Sequence, residues 1–161
     1  MSEKRLTIDY EEFASAAQML PEDQELVAAA IDAQKGSYSP YSNFQVGAAL
    51  RLEDGTVIKG ANQENVAYPA GLCAERTALF AAGANYPDLA PEALAIVGSD
   101  HGVLCESPVS PCGSCRQVMA EYQKKHGKHL KIILVGSKRI RVFQRVEDLL
   151  PFIFDSLKIG Q

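Results

Sequence analysis

The sequence predicts a layered α/β domain built on a mixed sheet. Segments with a strand pattern alternate with segments of helical period along the 161 residues. An early hairpin signal at Asp54-Gly55 requires antiparallel neighbours in that sheet. Two short apolar runs, "ALAIVG" (93–98) and "LKIILVG" (130–136), read as buried central strands.

In chain order, "RLTIDYEEF" (5–13) alternates at Leu6, Ile8 and Tyr10 and predicts a short strand. "PEDQELVAAAIDAQKG" (21–36) opens with Pro and acids. It carries an apolar stripe at Leu26, Val27, Ala30 and Ile31 and meets Gly36 as a stop, so it reads as a helix. "SYSPYSN" (37–43) is a turn-rich loop, and "FQVGAALRLEDGTVIKGANQ" (44–63) is the two-stranded hairpin. From Cys73 to about Ala82 the pattern is helical, with Gly83 as the expected stop. Residues 99–110 read as a loop. "CGSCRQVMAEYQKKHG" (112–127) is a helix with basic residues late and Gly127 as its stop. "RIRVFQRV" (139–146) alternates as a further strand, and "EDLLPFIFDSLKIGQ" closes the chain.

Bulk properties narrow the function classes. The chain is 47% hydrophobic with a formal net charge of −4, which suits one packed domain over 1–161. The acidic balance argues against broad attraction to nucleic acid phosphates. No apolar run reaches the roughly 20 residues of a membrane span, and "MSEKRLTIDYEEF" lacks a signal-peptide block. The expected location is the cytoplasm, where the four cysteines act as thiols, catalysts or ligands rather than disulfides.

Cys112 and Cys115 form a Cys-x-x-Cys pair in the first turn of a predicted helix, where i and i+3 share a side. Cys73 also opens a predicted helix, and helix N-termini favour thiolates. Three thiolates from two helix starts would suit one metal ion. Spacing alone leaves other readings open: a redox pair, a closed four-ligand structural site including Cys105, or buried apolar thiols. Glu75, which taken alone reads as a solvated acid favoured by the helix dipole, shifts the balance toward catalysis beside these thiols. A carboxylate two residues after a ligand can face the same cavity without binding the ion. With three protein ligands, zinc keeps a position for water and lowers its pKa toward about 7.

"CAERTALF" (73–80) followed by "PCGSCRQVMAEY" (111–122) resembles the small homotetrameric, three-cysteine cytidine deaminases. "YSPYSNFQVGAAL" (38–50) and "GANQENVAY" (60–68) resemble that family's nucleoside-binding segments, so the likeness spans roughly residues 36–126. It implies a layered α/β/α, cytidine deaminase-like fold and hydrolytic deamination of free cytidine and deoxycytidine in pyrimidine salvage. One Zn2+ per chain would be held by Cys73, Cys112 and Cys115. Glu75 would shuttle protons, first to the ring nitrogen and then to departing ammonia, as an activated water attacks the ring carbon bearing the amine. Phe44 would pack on the base. Asn62 and Glu64 would hold sugar hydroxyls, and the Ala74 N–H and carbonyls near Cys112 would read the base edge. Tyr68 would lie at an interface of a homotetramer with shared sites. Phe154, in "LLPFIF" (149–154), would be a lid aromatic from a neighbouring chain.

Arg76 follows from charge. Three thiolates and one divalent zinc sum to −1, and a guanidinium beside the sulfurs would withdraw charge and restore acidity. The stretch 1–20 exceeds the family's minimal pattern and reads as an extension that adds an edge strand or covers an interface. Cys105 and His101 lie in the loop before the zinc helix, and Cys105 is read as a non-ligand. Competing functions are deamination of a modified nucleoside or a nucleic acid base, and a structural zinc module without catalysis. The absence of Trp and the acidic balance oppose a polynucleotide path. A structural module would need Cys105 as fourth ligand and would leave Glu75 without a role. A redox pair would act on disulfides and bind no zinc. No nucleic acid or membrane partner is expected.

Overall fold

The computed structural model describes residues 1–155; the last six residues of the closing stretch read from the sequence lie outside them. Its strands are β1 (Glu11–Phe13), β2 (Phe44–Leu52), β3 (Val57–Ala61), β4 (Pro91–Asp100), β5 (Val103–Leu104), β6 (Lys131–Val135) and β7 (Ile140–Phe143). The helices are α1 (Pro21–Ala33), α2 (Ala74–Asn85) and α3 (Gly113–His126). One mixed sheet runs β1-β7-β6-β4-β2-β3, with β5 beside β4. β4 and β6 pair in parallel, and the other pairings are antiparallel. A parallel pair needs a crossover, and α3 supplies it.

Side chains alternate across the sheet with the period of two that strands impose. Leu50, Leu94, Ile96, Ile132 and Leu134 face α2 and α3 in one core. Ala49, Ala95, Val97, Ile133 and Val135 face α1 in the other. The result is the expected α/β/α layering. α1 buries Leu26, Val27, Ala30 and Ala33, whereas Ile31 is 43% exposed. Ile31 falls just past the stripe that meets the sheet.

α2 sits directly on β3. A Cβ built on Gly60 would lie 2.4 Å from the Ala74 carbonyl oxygen and 2.6 Å from the Ala78 nitrogen. Gly83 does not stop α2, which continues to Asn85. Its missing side chain instead admits Tyr122 of α3, whose hydroxyl would lie 2.2 Å from a Cβ there. Gly127 does end α3, in the left-handed conformation at φ 63°. β4 runs on to Asp100 and turns back through β5, so part of the expected 99–110 loop is strand.

The alternation at Leu6, Ile8 and Tyr10 does not carry a strand. β1 begins at Glu11, because its partner β7 is only four residues long and pairs Glu11 with Val142 and Phe13 with Ile140. Tyr10 stacks on Phe143 at 5.4 Å, while Leu6 remains 60% exposed. Beneath α1, buried Arg51 reaches Asp23 at 3.3 Å, Glu92 at 3.0 Å and the Glu22 carbonyl at 2.9 Å. Lys131 also pairs with Asp23, at 2.8 Å.

Candidate active site

Cys73 and Cys112 are the N-cap residues of α2 and α3, and neither side chain caps its helix. Both sulfurs are therefore free to turn toward each other. Cys115, one turn into α3, is fully buried. The Cys73–Cys112 and Cys112–Cys115 sulfur separations are 4.0 and 3.5 Å, and all three sulfurs lie within 4.8 Å of one another. Tetrahedral zinc with Zn–S bonds of about 2.3 Å spaces its sulfurs about 3.8 Å apart. The triad fits that ion.

Cys105 is not in the cluster; its backbone is tied to Gly98 and Ser137. The closed four-cysteine site therefore does not form among the described residues. His101 is exposed, lies in left-handed backbone and pairs with Asp100 at 2.7 Å. The third thiol at the Cys-x-x-Cys pair also departs from a two-cysteine redox centre.

Charge is concentrated here. The Cys73 thiol is held down to about 5, first by a hydrogen bond from Cys115 and then by the Arg76 guanidinium. Cys115 is pushed up by the same hydrogen bond and by burial. Arg76 Nη2 donates to Cys73 Sγ at 3.8 Å, and its Nε is buried without a partner. Glu75 is 4% exposed. Burial pushes its carboxyl up, and the Cys73 thiolate adds to the effect.

Cys73, Cys112, Glu75 and Arg76 line a cavity of about 620 Å³, with Asn62 and Glu64 on its wall. Exposed Tyr41 and Tyr68 stand at its mouth with ring centroids 6.4 Å apart, edge to face. Ala74 is fully buried at the first position of α2, where helical amides have no intrahelical acceptor.

Two sequence-predicted residues fall elsewhere. Phe44 is not on the cavity lining; its ring packs over Gly98 beside Val109, which does line it. Phe154 is 64% exposed and lines a separate groove against α3. Gln117 binds the Phe154 carbonyl at 2.7 Å. Sequence reasoning passed over Ser37, Tyr41 and Ser42. The signal was the density of hydroxyls in "SYSPYSN", which gains meaning only when the loop is seen against Asn62 and Glu64.

A family model of the cytidine and deoxycytidylate deaminase zinc-binding region matches residues 20–128. The chain is 54% identical over 99 residues to a cytidine deaminase of Halalkalibacterium halodurans, spanning 61% of this chain and 70% of that protein. It is 40% identical over 129 residues to a cytidine deaminase of Mycobacterium tuberculosis, spanning 78% of this chain and 84% of the relative. The crystal structure of a cytidine deaminase from Burkholderia pseudomallei superposes with a TM-score of 0.66 at 44% identity. That match covers 81% of this chain and 97% of the other. The Mycobacterium tuberculosis enzyme superposes with a TM-score of 0.64 at 37% identity, covering 82% and 96%.

Proposed function

We propose, for a chain that belongs to the cytidine and deoxycytidylate deaminase zinc-binding family, a division of labour among its own residues in a known reaction. The enzyme hydrolyses the exocyclic amine of cytidine and deoxycytidine with one zinc per chain, releasing ammonia. The observation that carries this reading is the triad at zinc spacing beside a buried carboxylate in one cavity.

Cys73, Cys112 and Cys115 hold the zinc. When bound, it supplies a coordination position for water and lowers that water's pKa toward about 7. Glu75 would take one proton of the attacking water and give it to the ring nitrogen, then take the second from the added hydroxyl and give it to the departing amine, which leaves as ammonia while the ring carbon becomes a carbonyl. Its burial excludes bulk water from that transfer. Arg76 offsets the thiolate charge. The Ala74 N–H faces the base edge. Phe44 stands behind the lining residue Val109 over Gly98 and would support that wall of the base pocket from outside the lining. Asn62 and Glu64 meet the sugar.

A neutral nucleoside suits the cavity better than a nucleotide or a strand. Arg76 is the one Lys or Arg among the described residues that line it, and it faces Cys73. Glu64 adds negative charge to the same wall. Neighbouring copies complete the site in a homotetramer. The exposure of Tyr68 and Phe154, at 79% and 64%, supports this reading. No helix of the described residues is long and apolar enough to cross a membrane. Four free thiols suit the reducing cytoplasm.

The test follows cytidine absorbance with zinc-assayed wild type and Glu75→Gln. Wild type turns cytidine over, and the variant loses about 10²–10⁴-fold in kcat with zinc retained. A variant of near wild-type rate removes Glu75 from proton transfer.

A further inference from the structure

Asn62 and Glu64 are held by donors that determine what each can still offer a ligand. Asn62 Oδ1 accepts from Ser37 Oγ at 2.6 Å and from the Val46 N–H at 2.8 Å, which occupies both of its lone pairs. Asn62 Nδ2 donates to the Phe44 carbonyl at 2.9 Å. The reverse amide orientation would set N–H against N–H and oxygen against oxygen, so two backbone groups fix it. One N–H of Asn62 is left over. Ser37 is itself oriented: Ser39 Oγ lies 3.2 Å away and must donate, because the Ser37 proton goes to Asn62.

Glu64 is the mirror case. Oε2 accepts from the Tyr41 N–H at 2.9 Å and the Ser42 N–H at 3.3 Å, and Oε1 accepts from the Ser42 hydroxyl. Ser42 Oγ in turn accepts from the Phe44 N–H at 3.0 Å, which leaves its single proton for Glu64. The Ser42 hydroxyl is also the first cause that holds the Glu64 carboxyl below the usual carboxylate range. Glu64 thus presents acceptors only.

We propose that Ser37 and Ser42 are positioning residues that give the cavity wall a fixed polarity, one donor on Asn62 and only acceptors on Glu64, which selects a free sugar hydroxyl. A hydroxyl both donates and accepts, so it satisfies the two together. An esterified oxygen has no proton for Glu64, and a missing hydroxyl leaves both groups unmatched. The proposal rests on the nucleoside reading above.

Wild type, Ser42→Ala, Ser42→Thr and Ser37→Ala are compared on cytidine and on 2′,3′-dideoxycytidine, with kcat and KM separated. Ser42→Ala loses about tenfold or more in kcat/KM on cytidine, chiefly through KM. The loss on dideoxycytidine is about tenfold smaller, because no hydroxyl is present to be misread. Ser42→Thr keeps its hydroxyl and restores the preference for cytidine. Ser37→Ala repeats the pattern more weakly, since the Val46 N–H still orients Asn62. Equal losses on both substrates, or no loss, overturn the proposal and leave Ser42 as loop structure. Wild type that does not discriminate between the two substrates overturns the placement of the sugar at Asn62 and Glu64. Wild type inactive on both overturns the nucleoside reading itself.

Discussion

Gly60→Ala tests whether the strand beneath α2 sets the geometry of the metal ligands. A Cβ there would lie 2.4 Å from the Ala74 carbonyl oxygen, against about 3.4 Å for an ordinary contact. The helix start must therefore retreat by about 1 Å. Ala74 lies between Cys73 and Glu75, so both move with it, while Cys112 and Cys115 ride on α3. The Cys73–Cys112 separation is only 4.0 Å, and zinc tolerates little change from about 3.8 Å. Zinc affinity is expected to fall about 10–100-fold. A displacement of 1 Å also costs about 10²-fold in kcat, and overpacking costs about 1–3 kcal/mol of stability. Chelator competition, steady-state kinetics on cytidine and urea unfolding measure the three effects. Gly113→Ala is the control, because a Cβ there meets nothing within 4 Å. A Gly60→Ala enzyme with wild-type zinc affinity and kcat would show that β3 does not set the position of the α2 ligands.

Arg51→Met breaks the buried cluster with Asp23 and Glu92. It is expected to cost about 3 kcal/mol by urea unfolding, because Asp23 loses one of its two cations. A loss near zero would mean that Lys131 alone neutralises Asp23. On the surface, Lys35 and then Lys59 hold the Asp32 carboxyl down to about 2, from 3.8. A depressed folded pKa adds stability that is complete above about 3.8 and is lost as pH falls toward 2. In an NMR titration Lys59→Met should raise the Asp32 midpoint, and an unmoved midpoint would leave the effect to Lys35.

The helices and central strands were readable where period and punctuation agreed. Asp54-Gly55 marks a turn that needs no tertiary information, and Gly127 stops α3 because the left-handed residue there wants no side chain. Gly83 carries the same local signal but lies inside α2. Its reason is Tyr122, nearly forty positions away, and no local rule could see it. Leu6, Ile8 and Tyr10 fail as a strand for a related reason: a ladder needs a partner, and β7 is too short to provide one. In the site, residue types near the helix starts suggested a metal, and the family likeness named the ligands. The structure adds distances and the exclusion of Cys105 from the cluster. The hydroxyl chain from Ser39 through Ser37 to Asn62 was illegible, because loop serines carry no period and their meaning depends on what folds against them.

The short β1 has a bearing on life at high concentration. The sheet ends in β1 on one side and β3 on the other. Without β1, strand β7 would present an open ladder of unpaired backbone with buried Ile140, Val142 and Phe143 at its side. Such an edge templates fibre growth from one copy to the next. Three residues, Glu11 to Phe13, close it; Glu12 pairs with Arg141 at 2.9 Å across the ladder, and a strand this short offers little backbone for a second copy to extend. The segment lies ahead of residue 20, where the match to the deaminase family begins. A closed edge of this kind is harder to extend by strand addition than the bare β7 ladder would be.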